Sequence, residues 1–467
     1  MLVKKIAYNT IVSAISRIAG TLLALVTVGL MTRYLGQNGF GSYSTILAFL
    51  YIFSVFADLG LYAIAVREIS KQGANEQEIM SHAFSLRLLF GLAVFILAPL
   101  IAVFLPYSFE IKIGVAIGAI GYWFLSNTQV LIGIFQKYLK TDRVAVAETA
   151  SRVVQLGLVA FVVWKNLGFL MIVATLALSG LVNFLLVWLF AQKYVPVKLV
   201  WNPAYWKKMI RESFPLAISA IFVLIYFKLD TVMLSLMKSA SDVGIYSVAY
   251  KILENLIYFP AMFVGLIMPL FSKYASSNHF EFKKVAQKTF AILLIFALPM
   301  VVATFFLSKL IVSLIAGGEF FASAGVLNVL IIATAIIFFG SLFSNMIVAL
   351  GKQRALAKIY AFGAAVNFSV NLFLIPRFTY WGAASSTVFT EFLVTVLMAA
   401  VIYRATKYLP SLLIFFKTAL AAGLMALVFY FLKENSLLVA AGASVLIYFI
   451  AVFLLGIVRF GEVKITK

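Results

Sequence analysis

Gly244, Ser247, Lys251, Glu254 and Tyr258 follow one another at steps of three, four, three and four. On a helix that spacing stacks a small, a hydroxylated, a cationic, an anionic and a phenolic side chain on one face. Between them lie Ile252, Leu253, Leu256, Ile257 and Phe259, so the charges sit in an apolar stretch. A charge near the middle of a bilayer costs at least a few kcal/mol and persists where it faces protein or a water-filled cavity. Lys228 and Asp230 add a second such pair just upstream. The chemistry on offer is the holding of a polar or anionic cargo, which points to a transporter.

Similar groups recur in other apolar stretches. Arg17, Arg87 and Arg152 are the remaining cations placed there, and Asp58, Glu148 and Glu391 the remaining acids. Each has a plainer explanation to set against a cavity role. Lys251 with Glu254 and Glu148 with Arg152 have the spacing of ion pairs within one helix. Arg87 is near enough to a helix end to snorkel. The stripes of Gly, Ala and Ser on the first, second and fourth stretches suit close helix packing. Asn367 and Asn371 are too polar to leave unpaired beside lipid.

The elements that must position these groups follow from composition. Of 467 residues 64% are hydrophobic and 11% charged, which is the balance of a polytopic membrane protein. The hydropathy pattern predicts an all-α chain of about fourteen spans, near 8–33, 41–66, 81–105, 110–136, 144–164, 167–191, 213–237, 242–271, 286–308, 320–350, 354–375, 380–403, 411–432 and 436–458. With the amino end inside, each of seven outer segments carries one cation: Arg33, Lys112, Lys165, Lys238, Lys309, Arg377 and Lys433. Apart from the five cations within spans, all others fall on inner segments. Cationic loops stay in the cytoplasm, so the bias predicts both termini on that side of a cytoplasmic membrane. It also accounts for the net charge of +21 without nucleic acid.

Gly41-Ser42-Tyr43-Ser44 is echoed 203 residues later by Gly244-Ile245-Tyr246-Ser247, and Asn166-Leu167-Gly168 more weakly by Tyr380-Trp381-Gly382. Six helices repeated in the same orientation predict two lobes around a central cavity, 1–206 and 207–407, with two further helices in 408–467. The segment Lys193–Glu212, bearing Trp201 and Trp206, is expected to join the lobes along the inner membrane surface.

Other chemistries find little support. The chain has no cysteine, and its two histidines, His82 and His279, sit near predicted helix ends, so neither a metal site nor a cofactor is expected. Gly351-Lys352 is no phosphate-binding loop, since Met346 and Gln353 occupy the positions of its other glycine and its Ser/Thr. The outer segments are short, and Glu110, Asp242, Glu319 and Glu434 are their acids, which argues against a glycosyltransferase, polymerase or ligase.

Several motifs occur in an order that resembles Wzx-type polysaccharide flippases of the multidrug/oligosaccharidyl-lipid/polysaccharide exporter superfamily. They are Arg33-Tyr34-Leu35-Gly36, Gly39-Phe40-Gly41-Ser42-Tyr43, Asp58-Leu59-Gly60-Leu61, Arg67-Glu68, Asp230 with Val243-Gly244-Ile245-Tyr246, Met268-Pro269-Leu270-Phe271, and Gly382-Ala383-Ala384 before Glu391. The resemblance covers about residues 1 to 405. It implies a carrier, not an enzyme, that moves polyprenyl-diphosphate-linked oligosaccharide across the membrane by alternating access. Membrane lipid would be a partner, and contact with a polysaccharide polymerase or assembly protein would fit. Diphosphate calls for cations in a low-dielectric site; Arg17, Lys251, Lys228, Arg152 and Arg87 are the candidates. Arg17 and Lys251 both lie ~14 Å deep at ~1.5 Å per residue, so they are expected to face one central cavity. Sugar hydroxyls call for amides, hydroxyls and aromatic faces, for which Tyr122, Gln129, Tyr226, Asn255, Tyr258, Tyr360, Asn367 and Asn371 are candidates. Asp58, Asp230, Glu254 and Glu391 are candidates for ion coupling. An ion-coupled drug exporter of the same superfamily is the alternative.

Overall fold

The computed structural model describes residues 2–58, 60–432 and 436–457, with side chains outside 2–15, 215–226 and 437–438. Its described residues form fourteen α-helices and one short 3-10 turn. They are α1 (Leu2–Asp58), α2 (Leu61–Ile69), α3 (Glu76–Val103), α4 (Phe109–Lys137), α5 (Thr141–Lys165), α6 (Phe169–Gln192) and α7 (Pro203–Met237), followed by α8 (Ala240–Leu256), α9 (Tyr258–Ser277), α10 (His279–Ala316), α11 (Ala322–Ala349), α12 (Gln353–Thr406), α13 (Leu412–Leu432) and α14 (Leu437–Leu454). Ten stretches among the described residues are long and apolar enough to cross a membrane. Two of them, in α1 and α12, each hold two of the expected spans across a sharp break.

Local chemistry sets these breaks. Gly36, at φ 63° and ψ −173°, divides α1 in a backbone region open essentially to glycine. Thr379, at φ 49° and ψ −129°, divides α12 just beyond Pro376, whose missing N–H already weakens the helix there. Two breaks depart from the continuous spans expected at 41–66 and 242–271. Gly60, left-handed at φ 71°, separates α1 from α2. Pro260 lies in the first turn of α9, where its absent N–H leaves the Leu256 carbonyl without the bond a continuous helix would give it. Tyr258 therefore opens a new helix.

The chain forms two compact units. The first comprises Met1–Ser247 with Leu314–Glu319, the second Val248–Ser313 with Phe320–Lys467. In the first, α4 and α6 cross at Gly121 and Gly180; a Cβ on Gly180 would stand 2.9 Å from the Gly121 carbonyl oxygen. Such small residues let helices approach where lipid offers no competing hydrophobic drive. An apolar cluster including Leu61, Met80, Val130, Phe135, Val187 and Trp206 joins α2, α3, α4, α6 and α7. The segment before α7 is tied to α3, since Lys198 N and Val200 N each donate to a serine, Ser81 Oγ and Ser85 Oγ, at 2.9 Å. Its two tryptophans part company: Trp201 is 74% exposed, whereas Trp206 is buried beneath it with ring centroids 4.9 Å apart.

In the second unit, Phe271, Phe282, Leu294, Phe338, Met346 and Met398 form a core among α9 to α12. A smaller cluster sets α13 and α14 against α10 through Ile295, Ala422, Met425 and Tyr448. Tyr448 Oη donates to the Ile295 carbonyl at 2.9 Å.

Candidate functional site

Among the described residues of the first unit the most buried cation, Arg87, has a carboxylate partner. Asp58 is the last residue of α1, directly before the Gly60 break, where a helix C-terminus disfavours an anion. Arg87 of α3 compensates by donating through Nη1 to Asp58 Oδ1, while its Nε donates to Ser126 Oγ of α4 at 2.9 Å. Arg87 is 2% exposed and the Asp58 side chain 31%, so the acid retains an open side and the base does not. Arg87 thus does not snorkel to an interface. Ser126 completes a link between three helices that the sequence marked only as part of a polar stripe.

A second group lies between α1 and α5. Arg152 Nη1 donates to the Gly20 carbonyl at 2.8 Å, and its Cδ and Nε fill the space a Cβ would take at Gly20. Arg152 and Arg17 both lie within coulombic reach of Glu148, and Arg17 is exposed. Two cations and one acid leave a local excess of positive charge. On α7, Lys228 Nζ stands 5.6 Å from the centre of the Tyr51 ring. Asp230 is buried and accepts from Tyr246 Oη at 3.2 Å. Tyr122 Oη is engaged with the Leu47 carbonyl at 3.0 Å, and Gln129 is exposed on α4. The Tyr226 side chain falls outside the described residues.

In the second unit Lys251 Nζ and Glu254 Oε2 are 3.1 Å apart, with side chains 41% and 23% exposed. The pairing expected from their spacing is present, yet both groups remain accessible. Asn255 Nδ2 donates to the Lys251 carbonyl at 2.8 Å, and Tyr258 is exposed at the head of α9. Asn367 and Asn371 are enclosed. Asn371 Nδ2 donates to Asn367 Oδ1 at 3.0 Å, and Asn367 Nδ2 reaches Ser386 Oγ at 3.3 Å and Thr390 Oγ1 at 3.5 Å. The amides therefore tie the two halves of α12 together across the Thr379 break. Glu391, also buried, lies within coulombic reach of the Tyr360 phenol. The sequence carried a signal for Ser386 and Thr390, hydroxyls one helical turn apart immediately before Glu391, but nothing that linked them to Asn367.

Beyond the spans, ion pairs gather at the end of the first unit that holds the α2–α3 and α4–α5 turns. Arg67 Nη2 bridges to Glu212 Oε2 at 2.7 Å, and Lys137 Nζ to Glu76 Oε1 at 2.5 Å. The Glu68 carboxyl is held below the usual carboxylate range, foremost by its hydrogen bond from Lys71 and further by Arg67.

The sequence model of the polysaccharide biosynthesis protein family matches residues 6–275, and the MatE model matches residues 215–373. The probable low-salt glycan biosynthesis flippase Agl15 of Haloferax volcanii is 23% identical over 84% of this chain and 83% of its own length. A putative O-antigen transporter of Shigella flexneri is 24% identical over 78% of this chain and 90% of its own. Among solved structures, an inward closed conformation of the lipid II flippase MurJ superposes with a TM-score of 0.79 at 15% identity, covering 96% of this chain and 98% of that one. An inward-facing multidrug resistance MATE transporter gives a TM-score of 0.68 at 14% identity, covering 84% and 99%. At these identities the two structures speak to fold.

Proposed function

The chain belongs to the polysaccharide biosynthesis protein family, and from that premise we propose that it is a flippase carrying polyprenyl-diphosphate-linked oligosaccharide across the membrane by alternating access. The observation that carries this reading is the cationic group formed by Arg17 and Arg152 around Glu148, on helices otherwise made for lipid. A diphosphate bears at least two negative charges, and a charge-assisted hydrogen bond in a low-dielectric setting is about twice as strong as a neutral one. Arg17, Arg152 and Lys228 of the first unit are the groups we assign to the headgroup, and Lys251 of the second unit is a candidate tested by itself. Arg87 is better suited to holding Asp58 than to meeting cargo, because it is enclosed by its own partners.

Gln129, Asn255 and Tyr258 have the accessible polar surface that sugars require. Asn367 and Asn371 are buried within α12, which favours a role in holding its break. Asp58, with one side open, is the acid best suited to exchange an ion with solvent; Asp230 and Glu391 are more enclosed. The positive-inside bias supports a cytoplasmic membrane location with both termini in the cytoplasm. No step of this transport makes or breaks a covalent bond.

Purified protein in liposomes should move a fluorescent polyprenyl-diphosphate oligosaccharide between leaflets, and the Arg17→Ala variant should do so at least ten times more slowly. Transport of organic cations with no movement of the lipid-linked sugar would instead identify a drug exporter. A rate unaffected by Arg17→Ala would remove the headgroup assignment.

A further inference from the structure

The echo between Gly41-Ser42-Tyr43-Ser44 and Gly244-Ile245-Tyr246-Ser247 has a physical counterpart inside the first unit. Gly41 and Gly244 are both buried, and their helices cross with backbone against backbone. A Cβ on Gly41 would strike the Ala240 carbonyl and come within 2.8 Å of Gly244 N. A Cβ on Gly244 would strike the Gln37 carbonyl and come within 3.3 Å of Gly41 N. Gln37 and Ala240 each precede their own glycine by four residues, so they are separated by the same 203 positions as the glycines. Each glycine therefore meets the repeat-equivalent carbonyl of the other. Such reciprocity is the mark of a two-fold contact, here between two halves of one chain.

Two further contacts close the same end. Arg33 lays its guanidinium on the last carbonyls of α10, with Nη2 to Leu314 O at 2.9 Å and Nη1 to Ile315 O at 3.2 Å, while Nη1 also reaches Gly29 O at 2.9 Å. A cation on helix C-terminal carbonyls meets both unfilled acceptors and the negative end of the helix dipole. Gln37, next to the Gly36 break, donates to the Glu319 carbonyl and accepts from Ser241 Oγ at 2.6 Å. None of these residues is among those assigned to the cargo.

We infer that Gly41 and Gly244, with Arg33 and Gln37 beside them, are a lock that seals the outer end of the first unit and parts once in each transport cycle. The inference rests on the flippase reading for its sidedness and its cycle. The glycines are what make it a lock. With any side chain at either position the two backbones could not return to this distance, so the sealed state would be lost while each helix stayed intact.

The chain has no cysteine of its own, so introduced thiols report alone. Tyr51→Cys, about three turns of helix below Gly41, is to be labelled with a membrane-impermeant maleimide applied from the outer side. In the otherwise unchanged protein labelling is expected to be slow, and Gly41→Ala should speed it at least tenfold. Arg33→Ala serves as the second variant, since it leaves both glycines in place. Labelling that neither change accelerates would overturn the lock. In a separate protein, Gln37→Cys with Ser241→Cys is tethered by a short bismaleimide. Tethering should abolish movement of a fluorescent polyprenyl-diphosphate oligosaccharide, whereas N-ethylmaleimide on the same thiols should not. Full transport by the tethered protein would also overturn the lock. If no form transports, the original chain included, the flippase reading fails and the labelling result still decides the lock.

Discussion

At the scale of single residues, the energetic question is what each intramembrane charge does when its neighbour is removed. Lys251 is paired yet accessible, so two outcomes separate its roles. If it meets the diphosphate, Lys251→Ala should weaken binding of the lipid-linked substrate by ~2 kcal/mol, roughly thirtyfold, with little effect on the free oligosaccharide, and Lys251→Arg should be tolerated. If it only neutralises Glu254, the double change Lys251→Ala with Glu254→Ala should restore the transport that the single change removes. Titration of both ligands into the purified variants decides between them. Arg87 is a different case. Removing it leaves Asp58 without its partner at a helix C-terminus and Ser126 without its donor, at a cost of ~1–3 kcal/mol. Arg87→Met should therefore lower the unfolding midpoint sharply, and adding Asp58→Leu should recover much of the loss.

This scale was also the least legible from sequence. Lys251 and Glu254 declare their pairing by spacing, because both lie on one helix. Asp58 and Arg87 do not, since they are 29 positions apart with the whole of α2 between them, and nothing in the chain fixes how α1 and α3 are turned towards each other. The polarity of Asn367 and Asn371 announced that they needed partners, but Ser386 and Thr390 reach them only because α12 doubles back at Thr379.

At the scale of elements, hydropathy found the helices and the breaks at Gly36 and Thr379, and missed two further interruptions. A long apolar window averages over a single left-handed glycine, so Gly60 left no mark on the expected span 41–66. Pro260 was the available signal for the break between α8 and α9. The break at Thr379 carries a testable strain. A β-branched residue at φ 49° costs ~1–3 kcal/mol, which the closely packed turn imposes: a Cβ at Gly382 would stand 2.9 Å from Ile375 N. Thr379→Gly should relieve part of that cost and raise the thermal unfolding temperature in detergent. A fall would show that the threonine side chain contributes more than its backbone loses.

At the scale of the molecule, the repeat makes the broadest claim. Residues 1–206 and 207–407 are expected to superpose as six-helix bundles of like orientation. Thiol accessibility from each side, with cysteines placed at Ser108 and Ser277, should report opposite sides of the membrane; a common side would refute the topology. The reciprocal contact of Gly41 and Gly244 supports this symmetry, because unrelated segments have no reason to meet at matched positions.

The seating of α13 and α14 on α10 has a thermodynamic corollary. In water, stripping two helices from a protein exposes their apolar bed and unfolds it. In a bilayer the solvent is itself hydrocarbon, so acyl chains can occupy the ground that Ala422, Met425 and Tyr448 vacate, and the loss is chiefly one hydroxyl-to-carbonyl bond plus some packing. A chain ending at Ser411, which keeps the hydrogen bonds of Tyr408 Oη and Ser411 N to Gln287, should accordingly insert, fold and keep the α9–α12 core. Its unfolding midpoint in lipid should fall within a few degrees of the full-length value. In that sense the last two helices behave as tethered lipid: a pair of annular molecules that happen to be encoded.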